Sequence, residues 1–383
     1  MPILQENHLK KLKTAIVHDW FAGYAGSERC VESFTNLYPE ADVFVLFNFL
    51  TDEEQKIVVK NKKPHTSFIQ NLPFARSNHR KYLPLFPYAI EQFDLSEYDL
   101  IISSSHAVAK GVLTNQNQLH ICYCHTPIRY AWDLTHQYLK ESKLTSGIKG
   151  AFAKWVLHYI RMWDISVANR PDFFIANSGY IAKRIKKIYN RESFVINPPV
   201  DLTNFECSAG KDDFYLTASR FVPYKRMDVI AEAFSKMPDK KLVIVGSGPD
   251  EEKIKEKSGS NIEFAGYLNG ERYKDYMMRA KGFVFAAEED FGIVVIEALA
   301  SGTPVIALNK GGTAETVQNG INGVHFSEQS VESIKEAVER FEKTRSGFDS
   351  IKIAENTKQY DRKIFEEKVR KFVDEKAIEK FGI

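Results

Sequence analysis

Long apolar runs are missing from this sequence. No stretch approaches the roughly 20 apolar residues that a spanning helix needs, so a chain threaded through a bilayer by helices is excluded. The first residues, Met1 to Lys13, are polar with scattered lysines and hold no apolar signal core, which makes a cytoplasmic protein the expectation. Cysteine is scarce. Cys30, Cys122, Cys124 and Cys207 are too few for a disulfide framework and suit a reducing compartment. Cys122-Tyr123-Cys124 has no second cysteine pair, so no zinc site is expected. Repeats of fixed period and low-complexity segments are absent. So is a large net charge: 52 Lys+Arg against 50 Asp+Glu leave +2. With no recognised motif in the basic stretches, that balance argues against a nucleic-acid partner.

What remains is an ordinary folded composition. The chain has 383 residues, of which 44% are hydrophobic, 27% charged and 13% aromatic. Single cores rarely grow past about 250–300 residues, so two domains are expected. The charge is unevenly spread. Residues 1–200 hold 24 Lys+Arg against 18 Asp+Glu, and residues 201–383 hold 28 against 32. Gln55 to Ile90 carries seven basic residues and no acid, and Ser142 to Trp163 carries Lys143, Lys149, Lys154 and Arg161 with none. Such a bias suits a surface that meets something anionic, or is solvated by chance.

Short apolar runs alternate with helical spacing. Thr14–His18, Val43–Leu46, Leu100–Ser103, Ile121–Cys124, Phe173–Ala176 and Phe194–Ile196 read as strands. The alternation predicts a parallel sheet covered by helices. Asn197-Pro198-Pro199 stops the chain, placing a boundary between domains 1–200 and 201–360. In the second half Phe214–Ala218, Leu242–Val245, Ile262–Phe264, Phe283–Phe285 and Val305–Ala307 read as strands. A closing helix over 361–383 is expected to pack back on the first domain. The fold class is α/β, with two Rossmann-like doubly wound sheets and ligand loops at their carboxyl ends.

Residues 283–302 carry the strongest chemistry. A strand ends near Phe285, a loop follows, and a helix begins near Gly292, with Asp290 placed to cap it. Glu289 sits in the loop and Glu297 about one and a half turns into the helix. Amides around Phe291, Gly292 and Ile293 form a helix start that favours phosphate. Two carboxylates for hydroxyls beside an amide cradle suit a sugar nucleotide.

Glu289 and Glu297, with seven residues between them and flanking Phe-Gly-Ile, resemble the signature of family 4 glycosyltransferases, whose GT-B fold sets two Rossmann-like domains across a cleft. The resemblance implies that Glu289 contacts hydroxyls of the donor sugar and Glu297 the nucleotide ribose. Arg220 and Lys225, in Ala218-Ser219-Arg220-Phe-Val-Pro-Tyr-Lys225-Arg226, match the pair that holds the donor diphosphate; Ser219 and Arg226 stand where the family usually has glycine. Gly26 matches a glycine-rich loop next to the donor. His125, ending Ile121-Cys-Tyr-Cys-His, matches a histidine that contacts the donor sugar near the reacting centre. Gly246 and Gly248 resemble a turn near the nucleotide, and Gly311-Gly312 a later one. Gly246-Ser-Gly248-Pro is not a dinucleotide fingerprint. The likeness runs from about residue 15 to 380.

His18-Asp19-Trp20, Leu83 to Glu91, Ile-Ser-Ser-Ser-His106 and Cys-His125-Thr-Pro-Ile-Arg129-Tyr130-Ala-Trp132 are similar to the bacterial O-antigen and capsule mannosyltransferase branch, which commonly uses GDP-mannose. Asp19, Trp20, Arg129, Tyr130 and Trp132 are the acceptor-side candidates, though the aromatics suit simple packing too. No Asp-x-Asp occurs anywhere, so Arg220, Lys225 and helix-start amides are expected to carry the leaving-group charge without a metal. No cofactor is expected beyond the nucleotide-sugar donor. The expected partners are that donor, a glycan or lipid-linked acceptor, and an anionic membrane surface met through 56–88 and 147–163.

Overall fold

The computed structural model describes residues 12–208 and 210–382. The polar start, residues 1–11, lies outside them. The chain divides into two units: residues 1–199 with 363–383, and residues 200–362.

The first unit is built on a seven-stranded sheet. Its strands are β1 (Thr14–His18), β2 (Asp42–Val45), β3 (His65–Thr66), β4 (Leu100–Ser105), β5 (Leu119–Cys124), β6 (Phe173–Ala176) and β7 (Phe194–Val195). They lie in the order β3-β2-β1-β4-β5-β6-β7, every pair parallel. β1, β4 and β5 are buried along their whole length, as strands covered on both faces must be. The order reverses between β1 and β4, which makes their carboxyl ends a topological switch point. Helix α1 (Gly26–Leu37) follows β1, α2 (Gly147–Ser166) lies between β5 and β6, and α3 (Gly179–Tyr189) follows β6. β3 is not legible in sequence: it is two exposed residues long, too short for any periodicity.

The second unit holds β8 (Tyr215–Ala218), β9 (Leu242–Val245), β10 (Ile262–Gly266), β11 (Gly282–Phe285), β12 (Val305–Leu308) and β13 (Gly323–Phe326), with α4 (Met227–Ser235), α5 (Ile293–Ala300) and α6 (Val331–Thr344) among its helices. The order is β10-β9-β8-β11-β12-β13, again all parallel, so the switch point falls between β8 and β11. β13 escapes a reading of the sequence because Gly320 and Gly323 mark its start as a turn. At the two places where the chain passes between units, Val200 pairs with Asp361 and the Arg362 guanidinium holds both oxygens of Asp201, at 2.7 and 2.9 Å.

The last helix, α7 (Arg362–Phe381), buries Phe365, Val369, Phe372, Val373 and Ala377. They join Val31, Phe34, Tyr123 and Ile175 in one core of the first unit. The spacing 365, 369, 372/373, 377 follows the 3.6 period, so one stripe of α7 supplies that cover.

Candidate active site

In the second unit the carboxyl ends of β8 and β11 bring two predicted residues together. Lys225 Nζ lies 2.6 Å from Glu289 Oε1, with side-chain exposures of 15% and 20%. The ammonium also sits over the Phe285 and Tyr224 rings. Arg220, on the loop after β8, is exposed, with no side-chain partner among the described residues. The switch point thus offers one cation neutralised by a carboxylate and one cation open to solvent.

The glycines explain how these loops come so close. Gly246 has φ 141°, and a Cβ there would stand 1.9 Å from the Ser219 carbonyl oxygen; one at Gly248 would meet the Phe221 oxygen at 2.5 Å. Gly246 and Gly248 therefore brace the backbone that carries Arg220, and the Phe221 amide bonds Ser247 O at 2.9 Å. On the other side, Gly311 has φ 70° and a Cβ there would stand 2.3 Å from Glu289 O. The Gly312 amide donates to that same oxygen at 2.8 Å. The later glycine turn thus holds the Glu289 loop. Arg226 adopts φ 54°, ψ 33°, a left-handed conformation that glycine takes freely. The departure from glycine at that position is absorbed as local strain.

The cap position of α5 is Gly292, with φ 88°, two residues after Asp290. Phe291 is buried in the core against Tyr360, so only its backbone is available at the loop. Glu297 is 6% exposed and accepts from Tyr273 OH at 2.8 Å, which fixes its carboxylate from one side.

In the first unit the ends of β1, β4 and β5 gather His18, Asp19, Ser104, His106 and His125. Asp19 is fully buried. Its Oδ2 accepts the amides of His106 (2.6 Å) and Ala107 (2.9 Å), and its Oδ1 those of Val108 (2.5 Å) and Ala109 (2.6 Å). His106 Nδ1 adds a fifth contact at 2.7 Å. Burial works to raise this carboxyl, but the His106 charge and hydrogen bond prevail and hold it far below the usual carboxylate range. Asp19 therefore shapes the loop after β4, its carboxylate closed on four amides and His106. Trp20 is partly buried, edge-on to His106 and packed with Phe47 and Phe86. Trp132 donates its indole N–H to buried Asp164 at 2.7 Å, so it packs inward instead of lining a mouth. Tyr130 packs on the same apolar cluster, under α2. Arg129 is partly buried beside it.

His125 is held from three sides. Its amide continues the ladder to Ser105 O at 2.9 Å, its carbonyl accepts from Asn177 Nδ2 at 2.9 Å, and its Nε2 lies 2.8 Å from Ser104 Oγ. Burial, followed by the nearby His106 and His18, pushes its pKa well below the ordinary histidine value, so the ring is neutral at pH 7. Gly26 opens α1 without a positive φ. Next to it, Glu28 Oε2 accepts from the Ala25 amide at 3.1 Å and from Ser27 Oγ at 3.0 Å. Glu28 and Ser104 are not among the residues that the sequence singles out. Their only signal there is polarity at a strand end and in a helix's first turn.

Residues 24–204 match the family model described as Glycosyltransferase Family 4, and residues 204–364 the one described as Glycosyl transferases group 1. The two matches together run from residue 24 to residue 364, one glycosyltransferase-type model on each half of the chain. Among its relatives, an uncharacterized glycosyltransferase of Methanocaldococcus jannaschii is 30% identical over 177 residues, 41% of this chain and 44% of the relative. A GDP-mannose-dependent phosphatidylinositol monomannoside mannosyltransferase of Mycobacterium tuberculosis is 31% identical over 137 residues, 31% of this chain and 36% of the relative. The chain spans about half the length of the first curated relatives it matches. The crystal structure of HepE from Anabaena in complex with UDP superposes with a TM-score of 0.68 at 16% identity, covering 95% of this chain and 100% of that one. That likeness shows the GT-B fold. The two matched stretches join at residue 204, inside the segment that follows β7.

Proposed function

We propose that the protein is a retaining glycosyltransferase that moves a hexose from a nucleotide sugar to a glycan, with GDP-mannose as donor and a lipid-linked acceptor in bacterial surface polysaccharide synthesis. The observation that carries this reading is the Lys225–Glu289 pair at 2.6 Å beside exposed Arg220. Two cations at a switch point suit a diphosphate, and a carboxylate among them suits sugar hydroxyls. As the glycosidic bond to the diphosphate breaks, Arg220 and Lys225 offset the charge that grows on the leaving oxygen, and the amides at the start of α5 add to them. Glu289 orients the sugar, Glu297 takes the ribose, and His125 is the proposed histidine contact to the donor sugar. No metal is required in this scheme: activity is expected to survive a chelator, and loss that added Mg²⁺ restores would refute that part.

The mannose reading is supported by the mycobacterial relative's name; the UDP complex of HepE supports a UDP-sugar as second reading. A thermal-shift panel of GDP-mannose and UDP-sugars, followed by transfer to lipid-linked acceptors, decides between them. A shift with a UDP-sugar and none with GDP-mannose overturns the donor.

The first unit also presents an apolar stripe. Along α2, Ile148 is 91% exposed and Trp155 61%, with Phe152, Tyr159, Met162 and Ile165 exposed in line. Lys149, Lys154 and Arg161 flank it with no acid before Asp164. A second copy would oppose like charges, whereas an anionic bilayer complements them. In the 56–88 segment, Phe74 and Tyr88 are exposed beside Arg76, Arg80 and Lys81. We assign both to the inner face of the cytoplasmic membrane. Sedimentation with phosphatidylglycerol vesicles but not with phosphatidylcholine vesicles is expected, and equal binding to both removes the assignment.

A further inference from the structure

Three buried polar side chains stand behind His125, and their proton accounting fixes which nitrogen of His125 carries its proton. His18 and Ser104 are fully buried and Glu28 nearly so. His18 and Ser104 are register partners on neighbouring strands β1 and β4. His18 Nδ1 lies 3.0 Å from the Ser104 carbonyl oxygen and 3.1 Å from Ser104 Oγ. A carbonyl oxygen only accepts, so the proton sits on His18 Nδ1 and points at Ser104. His18 Nε2 faces Glu28 Oε1 at 3.5 Å, which keeps the ring in that orientation. The Ser104 hydroxyl therefore receives from His18 and has its single proton left to give. Its other neighbour is His125 Nε2, at 2.8 Å. With Nε2 accepting, the neutral His125 ring carries its proton on Nδ1.

We propose that Ser104 is a positioning residue that holds His125 as the Nδ1–H tautomer, so that His125 meets its ligand as a hydrogen-bond donor and not as a base. Glu28 and His18 lock Ser104 in the orientation that does this. A donor at this place suits a sugar oxygen or the oxygen of a departing group. The assignment of His125 to the sugar rests on the proposed transferase reading; the tautomer does not.

The test is long-range ¹H–¹⁵N correlation of the full chain labelled on histidine nitrogen, with the His125 signals assigned by their loss in His125→Gln. The expected spectrum at pH 7.5 shows His125 with a pyrrole-type Nδ1 and a pyridine-type Nε2. The reverse pattern overturns the proposal. In Ser104→Ala the Nε2 signal is expected to move and the single tautomer to give way to a mixture, with transfer falling roughly tenfold; an unchanged spectrum in Ser104→Ala also overturns it. Ser104→Thr keeps a hydroxyl and is expected to restore the wild-type pattern. The spectra need no donor or acceptor, so they read the tautomer even in a protein that transfers no sugar.

Discussion

Replacing Lys225 by methionine keeps the length of the side chain and removes its charge. The structure separates two consequences. The first is stability. Lys225 and Glu289 are 2.6 Å apart but retain 15% and 20% exposure, so water still reaches the carboxylate left behind. A pair this accessible is worth about 1 kcal/mol, less than a fully buried one, and a chain with domains of this size loses roughly 2–4 °C in Tm. The second is catalysis. A preorganised cation on a leaving diphosphate contributes roughly 10²–10³ in kcat, or about 3–4 kcal/mol. Lys225→Met is therefore expected to fold, to melt a few degrees lower, and to transfer sugar at least about 100-fold more slowly. Glu289→Gln removes the partner and is expected to cost about 10–100-fold. Because the two groups touch, the double variant should fall short of the product of the single losses by an interaction energy of roughly 0.5–3 kcal/mol. The assay is transfer from radiolabelled donor, with kcat and KM measured separately for all four proteins. Lys225→Met retaining kcat within about threefold of wild type refutes the role given to the cation. Strict additivity refutes the claim that the pair acts as a unit.

Three further outcomes follow from other parts of the molecule. Asp164 is buried and joined to Lys110, itself 1% exposed, and it accepts from Trp132 Nε1 and Tyr189 OH; Asp164→Ala strands a buried ammonium and is expected to cost about 3–5 kcal/mol in urea unfolding, and a cost below about 1 kcal/mol contradicts the network. Gly311→Ala places a Cβ against Glu289 O at φ 70°, so about 1–2 kcal/mol of strain should appear in the melt together with weakened donor binding; unchanged donor affinity means the turn does not position Glu289. His120 is pushed down to about 3 by burial, with the Arg170 charge acting the same way against a hydrogen bond that opposes it. The unfolded chain takes up this proton below its ordinary value of 6.5 while the fold does not, so His120 supports the fold fully above about pH 6.5 and less as pH falls toward about 3, by about 1 kcal/mol at about pH 5.5. Urea midpoints at pH 7.5 and 5.5 measure it, and a smaller loss in His120→Asn than in wild type is expected.

Local pattern carried much of this fold and some of the site. β1, β6 and β9 have the bounds that apolar runs predict, because a strand buried on both faces must be largely apolar and about five residues suffice to show it. Glu289, Glu297, Arg220, Lys225 and His125 stand out because strand ends and helix starts are legible from the same runs. What sequence could not give is which polar groups consume one another. Asp19 reads as an open carboxylate after a strand, yet β1 and β4 lie side by side, so it closes on four amides 87 to 90 residues away. Trp132 reads as an aromatic at a loop, yet α2 brings Asp164 to its N–H. Ser104 is one serine among three until the register of β4 against β1 and β5 sets its hydroxyl between His18 and His125. Glycines at 246, 248, 311 and 312 mark turns in sequence, but only the packed loops show that each makes room for a neighbouring backbone. Sequence by itself determined the elements, their order and the residue types at strand ends, because those are set by local periodicity. The pairing of charges, the direction of hydrogen bonds and the exposure of each candidate were decided by tertiary structure, because a parallel sheet joins residues far apart in the chain and their free energy depends on who their neighbours are.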